Sequence, residues 1–153
     1  MAKNMNVKEN TMDDTIKLLR ECDAGLKMAQ DSIDEVLDVI EDEKLKHELI
    51  DAKNEHFQLK RRVQNLLNQN HDDGKEPPMM AKGMSWLKMN MKIAMHESDQ
   101  TIAELISDGC HMGIKSLYRY LNQYQQASHE VKEITKQIIH LEEKMMKQLN
   151  QYL

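Results

Sequence analysis

The sequence predicts an all-α protein built as an antiparallel four-helix bundle, with a helical crossover between the second and third long helices. Three observations carry this. First, apolar residues recur at steps of three and four over four long stretches. Second, β-favouring and turn-forming residues are scarce: one Trp, one Phe and four Tyr, with five Gly and two Pro in 153 residues. Third, the two halves are alike. Cys22-Asp23-Ala24-Gly25-Leu26-Lys27 returns 88 residues later as Cys110-His111-Met112-Gly113-Ile114-Lys115. Each copy lies inside a long helical pattern, and a second such pattern follows each. Two related hairpins joined by a long connection give the bundle.

Residues 1–10 are polar and read as a flexible N-terminus; residues 11–153 form a single domain. Thr11 starts the first helix, with Asp13 and Asp14 near its positive end. Its stripe is Met12, Ile16, Leu19, Cys22, Leu26, Ala29, Ile33, Leu37 and Ile40. The charged run Glu41-Asp42-Glu43-Lys44 ends it, and Asp42 caps the second helix, with Leu45, Leu49, Ala52, His56, Leu59, Val63 and Leu66.

Residues 71–97 form the crossover. A loop through Gly74 and Pro77-Pro78 leads into a Met-rich helix from Met79 to Met95, with Met80, Met84, Leu87, Met91 and Met95 at helical spacing. Ser98-Asp99 ends it and opens the third long helix, with Ile102, Ile106, Cys110, Gly113, Leu117, Leu121 and Tyr124. A break at 125–128 places Ser128 as the cap of the fourth, with Val131, Ile134, Ile138, Leu141, Met145, Leu149 and Tyr152.

The net charge is −5 with both signs interspersed, which gives no reason to expect a nucleic-acid partner. No apolar stretch approaches the ~20 residues of a membrane span. Two cysteines 88 residues apart, with no secretory leader ahead of them, point to free thiols in a cytoplasmic setting. Cys22 and Cys110 fall at matching places in the repeat and read as core packing, since no cation stands by to lower either pKa. Gly25 and Gly113, one turn further on, read as sites of close helix approach. The thirteen methionines fit soft copper(I) chemistry less well than gap-filling in a core or interface.

A di-metal carboxylate centre in such a bundle needs a Glu from each of two helices and Glu-x-x-His from each of the other two. No Glu-x-x-His occurs here; His140-Leu141-Glu142-Glu143 holds the reverse order. The Cys-x-x-Gly pair, together with Gly83-Met84-Ser85-Trp86-Leu87-Lys88 in the crossover, resembles the small bacterial ferritin-like proteins of unassigned function, from about residue 12 to 150. In that group the repeated motif runs Cys-x-x-Gly-Glu. The resemblance implies a ferritin-like bundle with bridging glutamates at positions 26 and 114, where this chain carries Leu26 and Ile114.

His56 on the second helix keeps a ligand type, and Glu142 or Glu143 falls where its counterpart would stand. These three are the candidate metal residues, for iron, manganese or zinc. The plainer reading of His56 is a buried imidazole hydrogen-bonded across the bundle. The sequence therefore points to a non-catalytic bundle that has lost its di-metal site, needs no cofactor and acts as a structural or interaction module, as a homodimer or other homo-oligomer. The competing reading is a metal-binding protein or oxidoreductase with an altered centre.

Overall fold

The computed structural model describes residues 2–78, 86–95 and 97–153, with side chains from residue 6 onward. Among these the protein is all-helical, with no strand. Five α-helices follow in order: α1 (Ala2–Val36), α2 (Glu43–Gln69), α3 (Trp86–Ala94), α4 (Asp99–Gln123) and α5 (His129–Leu149). Short 3-10 turns extend α1 over Leu37–Val39 and α5 over Asn150–Tyr152.

Three of the four long helices begin at the expected caps. The Asp42 side chain accepts from the Leu45 backbone N–H, Ser98 from Thr101 and Ser128 from Val131. The first helix differs. It begins at Ala2 rather than Thr11, because Thr11 does not cap: its hydroxyl donates to the Val7 carbonyl one turn back, at 2.9 Å. The segment before it contains neither Gly nor Pro to stop a helix. Met12, placed on the stripe from its spacing, is 59% exposed; the buried stripe starts at Leu18 and Leu19.

Paired contacts give the helix directions. Asp34 on α1 meets Lys53 on α2, and Asp23 meets Gln64, so α1 and α2 run antiparallel. The α2–α5 pair is antiparallel too: Glu55 meets Lys144, while Arg62 meets Gln137. The α4 helix starts where α1 ends, with the Asp99 carboxylate accepting from the Glu41 and Asp42 backbone N–H groups at 3.0 and 2.8 Å. Hence α1 and α5 run one way and α2 and α4 the other. Two parallel neighbours in sequence need a connection that returns the length of a helix, ~40 Å for the 27 residues of α2.

The crossover is fastened at both described ends. Its first part lies on α1: Arg20 pairs with Asp72 at 2.5 Å, Glu21 with Lys75 at 2.6 Å, and Lys27 with Glu76 at 2.8 Å. The fully buried Asp23 takes the Lys75 backbone N–H at 3.0 Å and the Lys27 ammonium at 2.8 Å. Gly74 lets the loop come this close. Its φ is +83°, and a Cβ there would stand 2.2 Å from Asp23 Oδ2. Further on, Leu87 and Met91 of α3 are buried among α1 and α4 residues, and Trp86 packs over Gly109. Met79 to Ser85, with Met80 and Met84 of the expected stripe and Gly83 of the resemblance, lie outside the described residues.

Two apolar clusters fill the interior. One holds Ile33, Val36, Leu45, Leu49, Leu87, Ile102, Cys110 and Leu149 among others. The other holds Leu18, Leu19, Cys22, Leu26, Val63, Leu67, Val131 and Ile139 among others. The cysteines therefore share the repeat but not a layer, and both are free and buried. Gly25 and Gly113 do not serve helix approach: a Cβ on either meets nothing within 4 Å. Gly25 is on the exposed side of α1, where no neighbouring helix crosses.

Candidate functional site, a buried polar layer

His56 and Glu142 stand at equivalent places in the two hairpins, each fourteen residues beyond its N-cap, Asp42 or Ser128. Both fall on the inner stripe of their helices. His56 is completely buried and Glu142 is 8% exposed. Because α2 and α5 cross antiparallel, the two side chains meet, with His56 Nε2 2.6 Å from Glu142 Oε1. The other ring nitrogen, Nδ1, lies 2.6 Å from the Ala52 carbonyl oxygen one turn back.

The other two long helices each bring one polar group to the same height. The Cys110 thiol of α4 is buried beside the Glu142 carboxylate, which acts on it electrostatically. On α1, Gln30 occupies the inner stripe, four residues after Leu26 and three before Ile33, and is 7% exposed. Asp34 faces Lys53 and Asp23 faces Gln64, eleven residues apart on each helix, which puts Gln30 level with His56. Its Oε1 is buried without a hydrogen-bond partner. A layer with one polar residue from each long helix thus interrupts the apolar interior.

The electrostatics follow from the geometry. Burial works against a charged His56 ring, but the hydrogen bond and charge of Glu142, then the Ala52 carbonyl and Glu55, outweigh it and hold the pKa above its ordinary 6.5. Burial pushes the Cys110 thiol far up, and the nearby Glu142 carboxylate adds to it. Cys22 is raised to about 12, by burial first. The Cys22 thiol lies 3.3 Å from Thr135 Oγ1, whose own proton goes to the Val131 carbonyl at 2.8 Å, so the thiol donates. Neither cysteine is poised as a nucleophile.

Of the candidate metal residues, the structure brings His56 and Glu142 together and leaves Glu143 out. Glu143 is exposed on the outer face of α5, 3.4 Å from His140. The donor set does not fit a di-metal carboxylate centre. Leu26, at one position where the resemblance implies a glutamate, is fully buried, Ile114 stands at the other, and Asp51 and Glu55 are exposed. Among the described residues, no group of three or more His, Cys, Asp or Glu side chains is arranged to hold a metal ion.

Sequence reasoning missed Gln30, having assigned Ala29 to the stripe, and missed that Cys110 and Glu142 come together. The signal for Gln30 was available in the four-then-three spacing from Leu26 to Ile33. A groove of about 310 Å³ lies along the α2–α5 seam beside the layer and is lined by Glu48, Asp51, Ala52, Glu55, Leu141 and Lys144 among others. No helix among the described residues is long and apolar enough to cross a membrane. No protein-family model, no curated protein and no solved structure matches this chain.

Proposed function

We propose that the chain is a ferritin-like four-helix bundle whose di-metal centre has been replaced by the Gln30–His56–Cys110–Glu142 layer, and that it works without catalysis as a structural or protein-interaction module. The observation that carries this reading is the direct contact between His56 Nε2 and Glu142 Oε1 at 2.6 Å. The ring nitrogen and the carboxylate oxygen that would face a metal are taken up by each other, with a proton between them. The two opposed pairs of antiparallel helices, with α2 and α4 running the same way and joined by a helical crossover, support the ferritin-like course. The module is proposed to act in the cytoplasm, as a homodimer or other homo-oligomer.

One observation favours the second reading, a metal-binding protein with an altered centre. The Ala52 carbonyl holds Nδ1, which fixes the ring and aims Nε2 inward, as a backbone acceptor does for a metal-ligating imidazole. Elemental analysis by mass spectrometry separates the two. Untagged protein purified without chelator is expected to carry no stoichiometric iron, manganese or zinc. Stoichiometric metal that is lost in a folded His56→Ala variant would overturn the scaffold reading.

A further inference from the structure

The His56 ring is wedged between two acceptors. A backbone carbonyl can only accept, so Nδ1 must carry a proton to make its 2.6 Å contact with Ala52. Nε2 faces a carboxylate oxygen at 2.6 Å. Beside an ionised Glu142, no neutral tautomer satisfies both sides. With the proton on Nδ1, the Nε2 lone pair points at a carboxylate oxygen. With the proton on Nε2, the Nδ1 lone pair points at the carbonyl. The arrangement therefore holds one proton more than a neutral imidazole beside an ionised carboxylate would carry.

The surroundings offer no substitute for that proton. Among the described residues, Glu142 has His56 as its ion-pair partner. The other groups around the pair are the Cys110 thiol of α4 and, toward the surface of α2, Glu55, whose carboxylate takes Lys144 of α5 at 2.8 Å; α1 brings the neutral Gln30 amide to the same height. His111 of α4 and His140 and Glu143 of α5 are exposed, as is Asp51 of α2. The pair also sits on the seam between the hairpins. Outside it, α2 and α5 are tied by surface contacts such as Arg62 with Gln137 and Lys44 with Gln151. The seam is open to one side already, since the groove is lined by Ala52, the carbonyl partner of the ring, and by Leu141 next to Glu142.

We propose that the His56–Glu142 contact is a proton-held latch between the two helical hairpins, closed while the imidazole carries both protons and released along the α2–α5 seam when one of them leaves. The sign follows from the geometry. The folded ring binds its proton more tightly than a free histidine, so the latch is fully closed below the ordinary histidine pKa and is lost as pH rises through the higher folded value. One proton is released on opening, so the opening equilibrium grows by up to about tenfold per pH unit between the ordinary histidine pKa and the higher folded value, and levels off above the latter. The inference rests on a metal-free centre.

The test compares wild type with Glu142→Gln, in chelator-treated protein whose metal content is measured on the same sample. A glutamine at 142 can donate its amide to the Nε2 lone pair of a neutral ring, so it keeps the contact without the extra proton. Nitrogen-15 NMR of the His56 ring at neutral pH is expected to show both nitrogens protonated in wild type and one in the variant. Amide exchange in the middle of α2 and α5, read as the ratio of wild type to variant at each pH, is expected to climb with up to the one-proton slope between those two values. A singly protonated ring in metal-free wild type at neutral pH, or a ratio that stays flat with pH, would overturn the latch. Stoichiometric metal in the untreated sample would instead sink the scaffold reading. His56→Gln, checked by circular dichroism, is the second variant and is expected to abolish the alkaline rise as well.

Discussion

At Gly74 one hydrogen atom decides whether the loop can lie on α1. An alanine there faces two penalties, a positive φ of +83° and a Cβ 2.2 Å from the buried Asp23 carboxylate. Gly74→Ala is expected to destabilise the protein by about 1–3 kcal/mol in urea titrations, through strain and loss of the Asp23 contacts. Gly25→Ala is expected to move the other way, by about 0.5–1 kcal/mol, because the site is helical and open. Sequence reading gave Gly25 and Gly113 a packing role from their repeat position and passed over Gly74 as an ordinary loop residue. Spacing along a chain reports which face a residue is on, not how near the next segment passes. His56 was legible because a polar residue on an apolar stripe must find a partner; which of Glu142 and Glu143 supplies it depends on a rotation of ~100° along α5 that the candidate list left open.

At the scale of elements, the three caps were legible and the start of α1 was not. Asp42, Ser98 and Ser128 each follow a break in the stripe and precede a new one, so local chemistry and pattern agree. The N-terminal segment offers neither, and its helix continues to Ala2 for want of anything to stop it. Asp42→Ala and Ser128→Ala are each expected to cost about 1 kcal/mol by thermal or urea unfolding. Asp42 stands close to a second device, the Asp99 carboxylate that takes the Glu41 and Asp42 backbone N–H groups. Replacing Asp42 and Asp99 together is therefore expected to depart from additivity, whereas Asp42 with Ser128 is expected to add. The crossover helix was legible through Leu87 and Met91, whose burial needs only periodicity. The loop's ion pairs with α1 were not, because they join residues about fifty positions apart.

For the molecule as a whole, the polar layer marks one height at which the two hairpins fit. A buried ion pair contributes more to register than to stability. His56→Leu or Glu142→Leu alone is expected to cost about 3–5 kcal/mol, because each strands the other group in an apolar interior. The double replacement is expected to recover most of that loss and to fall between no change and a gain of about 1–4 kcal/mol, measured as a double-mutant cycle in urea. A double variant as unstable as the sum of the singles would show that the two side chains do not act as a pair. The number of the long helices followed from periodicity alone, since a stripe sustained over so many turns has few other uses. The layer needed three-dimensional register between helices, which the stripe along a single helix does not report. The sole tryptophan, Trp86, bears on how such experiments can be read. Its indole rests on Gly109 of α4, where the crossover helix meets the long helices through an aromatic ring. Its fluorescence therefore follows the docking of α3, while circular dichroism follows the four long helices, and the chain carries separate optical gauges for its connection and for its frame.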